Sequence, residues 1–391
     1  MVNNGEGTKG VFITGTSNLD KVAYSGSTAA GQTTIGNGDT TTDTVTIGEI
    51  IQKNVNVKSD GVLNIAADKL QTTEGTNNAG QLNLSGITTA GAETSLNSAI
   101  SGTGTTDITG NISTNAKSVQ QGTINATTSS NLNLNGSTVK ADNINVDNAT
   151  LTLSNGSTLA SQDGTGTTAI DLTQSDTDLT ASSIIINAIT ADTTLKNAGI
   201  TSSDTSGYTV VANSGTDTSG NPYTATINNA IANATSITAS DGASLALTEK
   251  AMNSTTAPVT MGDDSKLTLV NNGTDTLGAT MSSDVTASGT GYTVDVTNAN
   301  AGDSVDLESA IAGATSVNVK SGQLDVKVDD GGDIGTSPVT LANNLSSIGY
   351  TTDNDYTVVN DITGGGKIDD PTTPTPGSTV QLNGEIGRAS C

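Results

Sequence analysis

The feature that most constrains this chain is a pair of aliphatic residues flanking a single residue, repeated again and again with little else apolar between. The pairs include Val45/Ile47, Val55/Val57, Leu63/Ile65, Leu82/Leu84, Leu132/Leu134, Ile144/Val146, Leu151/Leu153, Ile170/Leu172 and Ile184/Ile186. A spacing of two places both members on one face of a strand. The links between pairs, such as Lys58-Ser59-Asp60-Gly61, Asn135-Gly136-Ser137 and Asn155-Gly156-Ser157, supply the Gly and Asn that turns with positive φ demand. The pattern predicts strand, turn, strand throughout.

The pairs also recur at a longer interval. Leu132, Leu151, Ile170 and Ile189 are evenly spaced, and Leu63 and Leu82 keep the same interval. Further strands at Val139 and at Ile144/Val146 fall inside the first of these intervals, so one interval holds three short strands and three turns. A coil of that size buries too few aliphatics to offset the cost of ordering its backbone, so it must stack on its neighbours and share a core with them. The expected fold is all-β: a parallel, right-handed β-helix (β-solenoid) with coils of about 19 residues, about 20 in all.

The C-terminal half carries a second period. Ala230–Ile237 matches Ala310–Val317, and Pro258–Met261 matches Pro338–Leu341 at the same offset, with Tyr-Thr-Val at Tyr208, Tyr292 and Tyr356. The offset defines a repeat of about 80 residues, and a duplicated unit of about four coils is expected. Residues 1–40 are read as N-terminal strands, truncated or capping; 41–200 as solenoid coils; and 201–366 as solenoid with the longer repeat. A Pro/Thr linker at 367–379 is expected to lead into the start of a further domain at 380–391. Within that stretch, Ile386–Cys391 contains the chain's lone Arg and lone Cys and matches one translated frame of a common short-read sequencing adapter, so it is expected to be foreign. Without Cys391 no thiol site or disulfide can be argued.

Composition narrows the function. Leu, Ile, Val and Phe make up 78 of 391 residues, at the margin below which acidic chains tend to stay disordered, so it is the placement of these residues that argues for a fold. A net charge of −25, no His, no Trp and one Phe leave no cationic stripe or stacking platform for nucleic acid. No run reaches the length of a membrane helix, so no membrane insertion is expected of this segment. Met1–Gly10 lacks the apolar stretch of a secretory leader, and for an exported protein the true N-terminus is expected upstream.

His-dependent triads and His-ligated zinc are excluded by the missing His, and the scarcity of aromatics removes the platforms on which acidic pairs would hold a sugar for hydrolysis. The chain is therefore expected not to be an enzyme. Gly164-x-Gly166-x-x-Ala169 and Gly5–Gly10 imitate nucleotide-binding loops but lack the helix and the Lys-Ser/Thr ending such loops need, and the Asn-x-Ser/Thr triplets at Asn148, Asn233 and Asn272 follow from composition. Calcium is the one cofactor with a physical case. Asp329, Asp330 and Asp333, with Asp353 and Asp355, concentrate hard oxygen ligands on turns; neither group completes a calcium loop, and a solvated acidic turn is the stronger reading.

With its coils, its Asn-Gly-Ser turns and the run Leu151–Leu159, the chain resembles autotransporter passengers and filamentous-haemagglutinin-like adhesins over roughly residues 40 to 345. The resemblance lies in repeat style and carries no site. It implies an exported β-helix at the bacterial cell surface, of a kind that is mostly adhesive and often ends in an outer-membrane barrel. The favoured expectation is a non-enzymatic surface rod, adhesin or stalk, meeting a host or neighbouring-cell glycan or protein by shallow multivalent contact. The alternatives are a β-helical polysaccharide-acting enzyme or phage tailspike, and a tandem β-sandwich stalk, whose strands would instead repeat over about 100 residues per domain.

Overall fold

The computed structural model describes residues 2–3, 10–24, 31–176, 181–202, 207–273, 278–300, 302–368, 380–382 and 386–387. It is an all-β chain, 57% strand and 3% helix, whose parallel sheets stack as a β-solenoid. There are about 15 turns of about 22 residues each. The coils are fewer and slightly longer than expected. Contacts divide the chain into two compact units, Met1–Ile185 with Leu195–Tyr208, and Ile186–Thr194 with Thr209–Cys391.

In the first unit the apolar pairs become continuous inward files. One runs Val45, Leu63, Leu82, Thr106, Ile124, Ile144, Ile170, Ile200, each residue in register with the next. Beside it run Ile65, Leu84, Ile108, Ala126, Val146 and Leu172. Every member of the pairs named from sequence is buried. Another sheet stacks Ile112, Leu132 and Leu151. The step along the first file is uneven, as short as that from Val45 to Leu63 and as long as that from Ile170 to Ile200.

The variable step corrects the expected series. Leu132 does stack on Leu151, at the expected interval. Ile170, however, sits on Ile144 in a different sheet, and Ile189 is 44% exposed. The turn around Ser161–Gly166, closed by a Ser161 N–H to Gly166 carbonyl bond of 3.2 Å, lengthens the coil and breaks the regular count.

Corners are made where side chains cannot fit. Gly61, Gly80, Gly104 and Gly122 occupy successive rungs, and a Cβ on Gly80 would lie 2.1 Å from the Lys58 carbonyl oxygen and 2.3 Å from that of Gly61. At Gly104 it would lie 2.3 Å from the Gly80 oxygen. Closure of backbone on backbone is what requires glycine here. Through this corner Val119–Thr127 serves two faces, pairing Val119 with Ile100 and Thr123–Ala126 with Thr105–Ile108.

Not all of the interior is apolar. Gln121 Oε1 accepts from Asn78 Nδ2 (2.7 Å), two rungs away, and from Thr106 Oγ1 (2.9 Å). Gln121 Nε2 donates to the Gln120 carbonyl (2.7 Å). Asn78 reaches Gln121 past Gly102, which has no side chain to intervene. Such a cluster is tolerated because its members bond one another.

The second unit repeats the architecture with its own files. Leu245, Leu267, Val294, Val317, Val339 and Ile362 stack on one sheet, and Ile237, Val259, Val285 and Ile311 on another. The two copies of the longer repeat pair alike: Ile237 with Val259 and Val317 with Val339, their N–H groups donating to Pro258 (3.0 Å) and Pro338 (2.9 Å) carbonyls. They lie on different sheets, however. Three coils carry Ile237 to Ile311 and one further side reaches Val317, so the repeat is three coils and a side, not the expected four coils. Tyr292 and Tyr350 are buried in this unit and Tyr208 in the first, and burial raises each phenol's pKa.

Lys367–Ile368 pairs with Ser347–Ile348, whereas residues 369–379, most of the expected linker, lie outside the described residues. Val380–Leu382 pairs in parallel with Tyr356–Val358 as a separate two-stranded sheet, and Ile386–Gly387 pairs in parallel with Ile362–Thr363, adding a rung to the larger sheet. Residues 388–391 of the expected foreign tail are outside the described residues.

Candidate functional site

On one sheet of the first unit the residue between two inward neighbours points outward, and register brings these residues into a line. Asn64, Asn83, Asp107, Asn125, Asn145 and Asp171 occupy successive rungs of one sheet. Their side chains form a ladder. Asn145 Nδ2 donates to Asn125 Oδ1 (2.7 Å), and Asn125 Nδ2 to Asp107 Oδ1 (2.6 Å). Asn83 Nδ2 donates to Asn64 Oδ1 (2.7 Å), and Asn64 Nδ2 to Thr46 Oγ1 (3.3 Å). Gln81 bridges the remaining gap, its Nε2 donating to Asn83 Oδ1 (3.0 Å) and Asp107 Oδ2 (2.7 Å).

Two troughs border this ridge. One, of about 720 Å³, lies against Ser85, Thr109, Thr127, Asp147 and Thr173. The other, of about 560 Å³, lies over the glycine corner at Gly61, Gly80 and Gly104, and reaches Asp107 and Asn125. An amide offers two N–H donors and two lone pairs. The ladder bonds of Asn125 use one of each, so the ridge still presents donors and acceptors to solvent, held in fixed rotamers by their neighbours.

Asp147 lines the first trough as an ionised group. Desolvation opposes its charge, but bonds from Ser175 Oγ (2.6 Å) and the Ser175 N–H (2.8 Å) outweigh it and bring the pKa below the usual aspartate value. Elsewhere aspartates clamp one coil to the next by accepting backbone N–H bonds. Asp60 takes those of Asn37 (3.0 Å) and Gly38 (2.8 Å), Asp192 that of Thr224 (2.7 Å), and Asp284 that of Ala310 (3.0 Å). Asp163 organises its own turn through Ser161 Oγ (2.6 Å) and Thr165 N–H (2.8 Å), which hold its pKa at about 2.

The residues singled out for calcium follow this clamp pattern in part. Asp329, in the short 3₁₀ turn Val328–Asp330, accepts the Asp353 N–H, Asn354 Nδ2 (3.0 Å) and Thr352 Oγ1 (3.1 Å) of the following coil. The first of these contributes most to holding its carboxyl below the usual range. Asp333 Oδ1 accepts the Gly335 N–H (2.7 Å) within its own turn. Asp330, Asp353 and Asp355 are exposed. Asp329 and Asp353 are thus brought together through the backbone of one, and among the described residues no three carboxylates, His or Cys gather as a metal site. The Gly164–Ala169 motif leads from a turn into the strand Thr168–Thr173. Among the described residues no helix is long and apolar enough to cross a membrane.

Comparison with known proteins found no matching family model, no similar curated protein and no similar solved structure.

Proposed function

We propose that this chain is a non-enzymatic solenoid displayed at a bacterial cell surface, an adhesin or stalk of the autotransporter-like kind whose style of repeat it shares. It meets a host or neighbouring-cell surface through shallow contacts repeated along its outer faces. The observation that carries this reading is the outward ladder of the first unit, five amide or carboxylate rungs from Asn64 to Asn145 flanked by open troughs. Contacts of this type are individually weak and gain strength by multiple display.

The electrostatics of the troughs support the non-catalytic part. A glycosidase acid needs a raised pKa to hold its proton near neutrality. Asp147 is shifted the other way, the bonds from Ser175 outweighing its desolvation. Bacteria displaying the chain are expected to adhere to epithelial cells or to one another more than bacteria carrying an empty display scaffold. Purified protein is expected to leave a panel of polysaccharides uncleaved. Robust turnover would favour the β-helical enzyme instead, and no gain in adhesion would remove the adhesive reading.

A further inference from the structure

Building on that reading, we infer that the ridge from Asn64 to Asn145, with its two troughs, is a binding groove for a neutral polysaccharide chain. Hydroxyl groups both donate and accept, and so do amides; a row of amides is therefore matched to a polyhydroxylated polymer without requiring charge on it. The rungs are fixed by their own bonds at 2.6–2.7 Å (Asn83 to Asn64, Asn125 to Asp107, Asn145 to Asn125), so little side-chain freedom is lost on binding. Five rungs at the spacing of paired strands span roughly 20 Å, room for several sugar units lying along the ridge.

Charge selects among polymers. Neither trough is lined by Lys or Arg, while Asp60, Asp107 and Asp147 all contribute carboxylates, which disfavours acidic glycans and phosphate polymers. A protein partner is disfavoured for a different reason. Protein interfaces are anchored by aromatic, Met or Arg side chains in desolvated pockets; the troughs are lined by none of these, and their Ile65 and Leu84 are buried beneath the ridge. With no aromatic platform, each contact is weak, and affinity grows with the length of polymer engaged.

The test is affinity electrophoresis of the full chain, whose net charge of −25 drives it through native gels. The gels contain mixed-linkage β-glucan, galactomannan or dextran, with polygalacturonate and a blank gel beside them. Retardation is expected in at least one neutral gel and not in polygalacturonate. Asn83→Ala/Asn125→Ala, which removes two rungs, is expected to run as in the blank gel. Ser85→Arg, which fills the larger trough from an exposed position without touching a ladder bond, is expected to do the same with unchanged far-UV circular dichroism.

Four results would overturn the inference: no retardation in any neutral gel, retardation only by polygalacturonate, undiminished retardation of both variants, or self-association that these variants abolish without any retardation of the parent. Failure of the groove is distinguishable from failure of the adhesive function. An unretarded chain whose display still promotes adhesion sinks the groove alone; retardation without adhesion sinks the adhesive reading alone.

Discussion

The outer files of the two units differ far more than their inner ones. Inside, each unit stacks aliphatics rung on rung, Leu63 on Leu82 in the first and Leu267 on Val294 in the second. Outside, the first unit carries the amide ladder, whereas the corresponding strands of the second carry Thr268, Asp295, Asn318, Thr340 and Thr363. There Asp295 accepts from Asn318 Nδ2 (3.0 Å) and faces Lys266 (3.9 Å) and Lys320 (3.8 Å). On the next sheet Asp306 and Asp325 share Lys327, at 3.6 and 2.5 Å. Inner positions are fixed by the shared core and outer positions are free to vary, so the residue between two aliphatics is where one region of a solenoid acquires a chemistry another lacks.

The largest effect is expected where the inner file is broken. Leu151→Asp puts an unpaired carboxylate against Leu132 in a fully buried stack, and should cost about 3–5 kcal/mol or prevent folding. Chemical unfolding that shows a loss under about 1 kcal/mol would mean the file is not core. Next in size, Gln121→Leu strips the buried acceptor shared by Asn78 and Thr106 and is expected to cost about 1–3 kcal/mol. A neutral result in the same unfolding experiment would mean those groups find other partners.

The hydrogen-bonded aspartates, clamping a neighbouring coil at Asp329 and closing their own turn at Asp163, predict a dependence on pH. Asp329 and Asp163 ionise more readily in the folded chain than the usual 3.8, Asp163 at about 2. Their contribution is therefore complete above the unfolded value and is lost as pH falls from about 4 toward 2. Melting temperature should hold between pH 7 and 5 and decline below 4, less steeply in Asp329→Asn. A melting temperature that rises on acidification would contradict the clamp. The smallest effect separates the outer files themselves: Asp295→Asn should lose under about 1 kcal/mol, an effect that shrinks in 1 M salt. The cost of Asn145→Ala should not change with salt, and equal salt dependence for both would erase the distinction drawn between the two faces.

How far the sequence can be read follows from which contacts are local. The pairs, the turns and the parallel stack are local patterns and are legible, and regular spacing places Leu132 over Leu151 correctly. The same spacing assigns Ile170 to the wrong file because its rung is reached only after the additional turn at Ser161–Gly166. Three rungs of the ladder are spelled out at the middle of a pair, as in Leu82-Asn83-Leu84 and Ile144-Asn145-Val146. The ladder is hidden because aligning those middles requires the register of coils of unequal length, short from Val45 to Leu63 and long from Ile170 to Ile200. Asp329 looks like part of a ligand cluster because its partners at 352–354 lie a whole coil away.

Alternation between buried pairs and an outward ladder can be measured directly by cysteine mapping. In a chain carrying Cys391→Ser, single cysteines are placed at Leu82, Asn83 and Leu84 and at Ile124, Asn125 and Ala126, and reaction with a water-soluble maleimide is timed under native conditions. Fast labelling of Asn83→Cys and Asn125→Cys is expected, with at least tenfold protection at the four flanking positions until denaturant is added. Equal labelling across each triplet, or protection at the two asparagine positions with reaction at their neighbours, would contradict the account.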